Sequence, residues 1–556
     1  MNEHIEAEDT EHRSAPGSEA TREEAERRRQ TELISALRDP ARFGPPNGHV
    51  TVLETHISYV LLTGSEAYKI KKAVRLGFLD FTTLERRKFY CEEELRLNRR
   101  LAPALYLDAV PITGTSADPQ IRGAGPVVEY AVRMKEFARD ALASDFLARG
   151  ALTGAHIDLL AGKVADFHAV AARADAGTTF GSGAEALDFA LANFTEIRAL
   201  KKDGDDAPRM RAVAAWTRAE HTRRRQAFDS RKRDGFVREC HGDLHLSNIA
   251  IIDGAVTIFD CIEFNERMRW IDVMSEVAFT TMDLDRRGRS DFARRFLNRY
   301  LEETGDYDGI AVLPFYLVYR AMVRAKVASI GAAGIAEERA RAAFLREYKD
   351  YLHLAEAYTA SRQAAIVVTH GFAGCGKTTV TQSLLERMDA VRVRSDVERK
   401  RLANLRADAR SQSGIASNLY ARDMTRRTYE ELSRLARHIV ESGYVALIDA
   451  AFLQLRQREI FRSLAAELDV PFVIVDVAAA ESTLRERVRR RALMGRDASE
   501  ADIAVLEHQI LTHEPFADHE LADVIRVDTD LPEDRDGTEA LLLSLVERLG
   551  TDGRSA

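Results

Sequence analysis

The sequence predicts two unlike domains in tandem, an α+β domain followed by an α/β domain built on a parallel sheet, and two stretches carry that prediction. One is Gly371-Phe372-Ala373-Gly374-Cys375-Gly376-Lys377-Thr378-Thr379, which follows the apolar run at 365–369 and precedes a helical pattern at 380–388. Strand, glycine loop and helix in that order aim loop N–H groups and a helix N-terminus at one anion. The other is His241-Gly242-Asp243-Leu244-His245-Leu246-Ser247-Asn248, followed at once by two short apolar runs around Asp253-Gly254.

Size and composition set the frame. At 556 residues the chain exceeds one compact core, and length alone suggests about three domains. No run approaches the roughly twenty consecutive apolar residues that span a bilayer, so no membrane partner is expected. The first residues lack the basic and apolar blocks of a secretory signal, and a cytoplasmic location is expected. Cys91, Cys240, Cys261 and Cys375 stand far apart with no C-x-x-C pair, which argues against a zinc site or a disulfide framework and for four free thiols. The net charge of −8 supplies no general attraction to nucleic acid, although it is compatible with a local basic groove.

In chain order, residues 1–30 are charged and almost free of apolar side chains, and read as a disordered tail or loose helix. A hairpin is expected over 56–72, with strands at 58–62 and 67–71 and a Thr63-Gly64-Ser65-Glu66 turn. Period-two alternation puts Lys69 and Lys71 on one face and Tyr68 and Ile70 on the other. Those lysines either meet solvent or bring one ammonium to a phosphate. A charged helix follows at 84–101, with Phe89, Leu97 and Leu101 as apolar contacts. Its Glu94 or Glu93 either pairs with a strand lysine or makes surface i,i+4 pairs. A second strand is expected at 127–134, then long helices to about 227.

The second constellation has an Asp and an Asn five positions apart, the spacing of the H-x-D-x-x-x-x-N loop of kinases. The runs 249–252 and 255–259 spell a tight hairpin around Asp253-Gly254 and end at Asp260. In that layout Asp243 accepts a hydroxyl proton, Asn248 holds one Mg²⁺ and Asp260 bridges metal to a triphosphate.

With those residues in view, 41–354 resembles the aminoglycoside phosphotransferase family, whose catalytic loop commonly reads HGDLHxxN. The resemblance implies an α+β protein-kinase-like fold with a hinge near 132–135. It also implies that Lys69 is the phosphate lysine, Glu94 its helix partner, His245 a residue that positions the loop, and Asp260 a metal ligand. Two departures are plain: no G-x-G-x-x-G loop precedes the lysine strand, and FDCIEFN contains no DFG, although Glu263 lies nearby. Further on, Arg320 and Arg324 share a helix face near Lys326, which fits either pairing with neighbouring carboxylates or a neutral or anionic hydroxylated substrate rather than a polycation.

The boundary is expected near 360, giving domains at 31–358 and 362–550. Beyond it, strands are expected at 365–369, 391–394, 445–449, 472–476 and 524–528, alternating with helices as a parallel sheet requires. Gly371, Gly374 and Gly376 let the backbone approach phosphates. Lys377 bridges the β- and γ-phosphates, Thr378 ligates Mg²⁺, and Thr379 continues the motif. Asp396 and Asp449 fall at carboxyl ends of strands, where ligand groups sit; they either cap helices or act as general base and Walker-B-type metal contact, respectively. Arg487 and Arg491 share a face of an arginine-dense helix, which is either a solvated face or a lid that stabilises a transferring phosphoryl group.

The stretches SDVERKRL and IDAAFL, and the arginine helix followed by DASEAD, resemble the small P-loop kinases grouped near gluconate kinase, polynucleotide 5′-kinase and zeta-type toxins, over 364–549. The whole resembles bacterial proteins that fuse the two domains. What this implies is a bifunctional kinase using ATP and Mg²⁺, with a small hydroxylated molecule as acceptor. The alternatives are an ATP-hydrolysing regulatory switch with a kinase-like sensor domain, or polynucleotide 5′-kinase action in the second half.

Overall fold

The structure is a computed structural model that describes residues 16–44, 48–77, 79–201, 204–405, 422–494, 501–530 and 538–549. The chain divides into two compact units, residues 1–151 with 240–270, and residues 152–239 with 271–556.

The first unit is built on a six-stranded antiparallel sheet in the order Thr51–Glu54, Ser58–Leu62, Glu66–Lys71, Val127–Lys135, Tyr106–Gly114, Pro119–Ile121. The lysine strand Glu66–Lys71 lies in its interior, with Lys69 opposite Val60 on one side and Val132 on the other. Alternation sorts its side chains as expected. Tyr68 and Ile70 join Leu33, Leu37, Val110 and Ile112 in one buried cluster. Lys69 and Lys71 point the other way, to the helix Leu84–Asn98, whose start is fixed by the Thr83 hydroxyl accepting from the Arg86 amide.

Of the two placements left open for the strand lysines, burial excludes solvent. Two expectations need correction here. Phe89, expected as an apolar contact, is 58% exposed, because the helix buries Cys91, Glu94, Leu95 and Asn98 instead. Val132–Lys135 is not a hinge: it lies inside the strand Val127–Lys135, held by pairing to the lysine strand.

Of the two readings of the tail, the helix is the one found in its described part. Residues 1–15 lie outside the described residues, but a helix runs from Pro16 to Ala36, so the boundary at residue 30 falls within it. Glu26 pairs with buried Arg87 at 2.6 Å, and the Gln30 amide donates to the Lys71 carbonyl at 2.9 Å and to Glu129 at 2.7 Å. Its polar residues thus satisfy buried groups of the sheet.

The same unit holds the strands Ile249–Ile252 and Ala255–Ile258, joined by the expected Asp253-Gly254 turn with φ +51° and +76°.

The second unit combines helices with a five-stranded sheet, all parallel, in the order Ala390–Arg394, Val445–Asp449, Ala365–His370, Phe472–Ala478, Val524–Asp528. All five expected strands are present. The sheet buries Val367, Leu447, Val473 and Val475 against Val380, Leu384 and Leu385 of the helix Lys377–Arg387. The helix Glu338–Tyr358 and the strand Ala365–His370 belong to one compact unit. A physical reason lies at the outer strand Ala390–Arg394. Asn298, on the helix Ser290–Thr304, donates to the Ala390 carbonyl at 3.1 Å and accepts from the Arg392 amide at 2.7 Å. Among the described residues no helix is long and apolar enough to cross a membrane, and all four cysteines are buried free thiols.

Candidate active sites

In the first unit, the lysine strand faces a ladder of alternating charge. Lys69 donates to Glu94 at 2.9 Å and to Asp260 at 2.5 Å; Lys71 donates to the other oxygen of Glu94 at 2.7 Å and also to Glu263. Burial disfavours the Lys69 charge, yet Asp260, Glu94 and Glu263 together hold its pKa well above the ordinary value. Burial likewise pushes the Glu94 carboxyl up, but the two ammonium groups outweigh it and bring it down to about 2. Glu263 is pushed above the usual carboxylate range, chiefly by burial. Of the two carboxylates left open by the sequence, Glu94 is the lysine partner. Glu93 instead pairs with Arg96 at 2.7 Å and Arg269 at 2.9 Å.

Asp243 and Asn248 meet as their spacing suggests. The Asn248 amide donates to both the carbonyl and the carboxylate of Asp243 at 3.0 Å. Its amide oxygen is therefore not the end that Asp243 uses. Asp260, in a left-handed conformation at φ +64° with its side chain 42% exposed, turns away from the strand before it. An amide oxygen and a partly exposed carboxylate are the hard donors that Mg²⁺ takes, so the residues present fit that ion. His245 accepts from the Ser247 amide and stands 3.4 Å from Asp243. His241 ties the loop to the hairpin, accepting from the Asp243 amide at 3.3 Å and bonding the Phe259 carbonyl at 2.8 Å.

In the second unit Gly371, Gly374 and Gly376 take φ of +144°, +85° and +97°. A Cβ on Gly371 would stand 2.4 Å from the Val477 carbonyl oxygen, so the close turn admits no other residue. Lys377 folds over the loop and donates to the carbonyls of Gly371 and Phe372, each at 2.9 Å. The Thr378 hydroxyl donates to Asp449 at 2.9 Å, and Thr381 reaches the same carboxylate oxygen at 3.3 Å. A hydroxyl and a carboxylate joined at the foot of a phosphate loop also suit Mg²⁺. Thr379 lies in the first turn of the helix Lys377–Arg387. Asp396 opens the helix Ser395–Leu402, two residues beyond Arg394, which pairs in register with Asp449.

Arg487 and Arg491 sit on the helix Glu481–Met494, where Arg487 binds the hydroxyl and carbonyl of Thr529 at 2.8 and 2.7 Å, and Arg491 the Ala501 carbonyl at 2.8 Å. Most of the DASEAD stretch, residues 497–500, lies outside the described residues. Arg320, Arg324 and Lys326 are engaged within the helical part, with the Ser275 carbonyl at 3.1 Å, Glu347 at 3.4 Å and Glu196 at 3.4 Å, respectively.

Several supporting residues went unread in the sequence. Tyr106 accepts from the Asp260 amide at 3.1 Å, Thr529 donates to the Cys375 carbonyl at 2.8 Å, and Gln509 accepts from the Ala373 amide at 2.8 Å. Each lies far along the chain from its partner and carries no motif. Only Lys71 had a signal, its alternation with Lys69.

Two family models match the chain, one described as a phosphotransferase enzyme family over residues 87–313 and one described as an AAA domain over residues 366–516. Uncharacterised proteins of Mycobacterium tuberculosis and Mycobacterium bovis are 30% identical over 461 residues, covering 82% of this chain and 89% of theirs. Among solved structures, a choline kinase from Cryptosporidium parvum aligns at 10% identity over 59% of this chain and 95% of that one, with a TM-score of 0.37. The APS kinase of Mycobacterium tuberculosis aligns at 15% identity over 34% and 99%, with a TM-score of 0.25.

Proposed function

The chain belongs to the same family as the mycobacterial proteins it matches, with a protein-kinase-like phosphotransferase domain followed by a P-loop kinase domain, and from that premise we propose that both domains take ATP with Mg²⁺ and pass its γ-phosphoryl group to a hydroxyl of a small molecule. The observation that carries the reading is the convergence of Lys69 on Glu94 and Asp260, with Asp243 and Asn248 on the neighbouring loop. A lysine set between a helix carboxylate and a metal-type aspartate suits phosphoryl transfer, and a mere nucleotide binder has no need of Asp243.

In the first domain, Lys69 binds phosphate oxygens while Glu94 fixes its direction. Asn248 and Asp260 hold Mg²⁺, which when bound neutralises charge on the phosphates. Asp243 accepts the proton of the attacking hydroxyl at its carboxylate oxygen. In the second domain, the loop amides and Lys377 cradle the phosphates, Thr378 and Asp449 hold the ion, and Asp396 takes the acceptor proton. Arg487 and Arg491 stabilise charge spread over the transferring group. The overall net charge of −8 supplies no general attraction to nucleic acid, and the proposed substrates are small hydroxylated molecules rather than nucleic-acid ends.

The test is a mass-spectrometric search of a metabolite extract for species that gain phosphate. Species made by the wild type and lost separately in Asp243→Asn and Lys377→Ala support two kinase sites. Release of γ-phosphate solely as inorganic phosphate, with extract present, overturns the proposal.

A further inference from the structure

Glu302 lies on the helix Ser290–Thr304, inside the stretch matched by the phosphotransferase model, yet its partners belong to the P-loop sheet of the same compact unit. It is buried, and one carboxylate oxygen binds Arg392 at 2.8 and 3.0 Å. The other stands 3.9 Å from Arg394, and Arg394 in turn stands 3.9 Å from Asp449. Arg392 also reaches the carbonyl of Thr378 at 3.5 Å. The main chain of Glu302 takes part too: its carbonyl accepts from Arg401 at 2.6 Å, on the helix Ser395–Leu402 that carries Asp396 in its first turn. One residue of the helical part thus holds the strand that precedes Asp396 and the helix that carries it. Burial pushes its carboxyl up, but Arg392 and Arg394 outweigh that and keep it below the usual range, so it stands as an anion.

We propose that Glu302 is a positioning residue for the P-loop site: it shares Arg394 with Asp449 and so keeps the Asp449 carboxylate available to Mg²⁺. This rests on the reading of Thr378 and Asp449 as the ion's holders. Arg394 lies at equal distance from two carboxylates. With the Glu302 charge removed, one of the carboxylates that draw Arg394 away from Asp449 is lost, and the guanidinium competes more strongly with the cation for one oxygen, the one Thr378 already uses. The coupling runs from a helix of one domain to a metal-type carboxylate of the next, through side chains in contact at each step.

The experiment titrates Mg²⁺ against the full-length chain in the presence of a fluorescent ADP analogue, the P-loop signal being the part lost in Lys377→Ala. Glu302→Gln is expected to raise the half-saturating Mg²⁺ concentration about tenfold, the scale of outer-shell changes at metal sites. Adding Arg394→Met to Glu302→Gln is expected to restore it, which no purely structural role of Glu302 explains. Asn298→Ala, which loosens the same docking without touching the charges, is expected to lower the Tm and leave the Mg²⁺ dependence unchanged. If Glu302→Gln fails to fold, Arg394→Met alone still decides, since it should tighten the Mg²⁺ dependence. An unchanged midpoint in Glu302→Gln, or in Arg394→Met alone, overturns the inference. Absence of any Lys377-dependent, Mg²⁺-dependent signal in the wild type would instead overturn the P-loop reading, and this inference with it.

Discussion

Glu94 gives one carboxylate oxygen to Lys71 at 2.7 Å, and both side chains are wholly buried. The other oxygen goes to Lys69, and Lys71 goes on to Glu263, so the phosphate lysine stands at the open end of a charge ladder whose inner end is sealed.

Lys71→Met should therefore harm stability more than Lys69→Met. It strands the buried Glu263 and half of Glu94 without a cation, and breaking a buried pair from one side costs about 3–5 kcal/mol. Amide hydrogen exchange across Glu66–Lys71 should speed accordingly, and Lys71→Met/Glu263→Gln should recover part of the loss. Equal exchange in the two single variants would contradict this account of the ladder.

Acid should act on the same group. The Glu94 carboxyl is lowered from an ordinary 4.5 to about 2, so its contribution is fully present above pH 4.5 and is lost as pH falls toward 2. Urea midpoints measured across that window should fall more steeply for the wild type than for Glu94→Gln.

Nucleotide stoichiometry offers a direct count. A non-hydrolysable ATP analogue should bind at two equivalents per chain, falling to one in Lys377→Ala. Asp243→Asn should keep both equivalents while cutting phosphoryl transfer at the first site by at least about a hundredfold. Calorimetric titration checks the binding, and product formation checks the transfer.

Gly371→Ala should abolish P-loop nucleotide binding. The new Cβ meets a carbonyl oxygen at 2.4 Å in a conformation side chains rarely adopt, and strain of that kind costs on the order of 1–3 kcal/mol or distorts the loop. Binding at the first site should persist in the same titration.

Gln30→Ala should destabilise the first unit by roughly 1–3 kcal/mol, because two acceptors (the Lys71 carbonyl and the Glu129 carboxylate) and one donor (the Ala73 amide) lose their partner at a buried position. Thermal unfolding measures the loss, and a silent substitution would mean that the first helix is dispensable.

What the sequence disclosed was whatever is local in the chain. The glycine loop, the Asp243–Asn248 spacing, the Asp253-Gly254 turn and five apolar runs each lie within a few residues, and each stands where the structure has it. Contacts between distant residues were hidden. Gln30 looked like part of a solvated tail because its partners, Lys71, Ala73 and Glu129, are at least 41 positions away. Phe89 looked like a core residue because composition does not reveal which face of a charged helix is buried, and here that face holds Glu94. The contact of Asn298 with a strand more than ninety residues later was equally illegible.

That last contact has a practical bearing. The outermost strand of the parallel sheet has its Ala390 carbonyl and Arg392 amide answered by a side chain from the preceding helical part. A fragment cut near residue 360 would present a bare sheet margin, a template for unwanted pairing between copies. Expressed alone, the C-terminal half should self-associate, and a polar or proline substitution along Ala390–Arg394 should be needed to keep it monomeric.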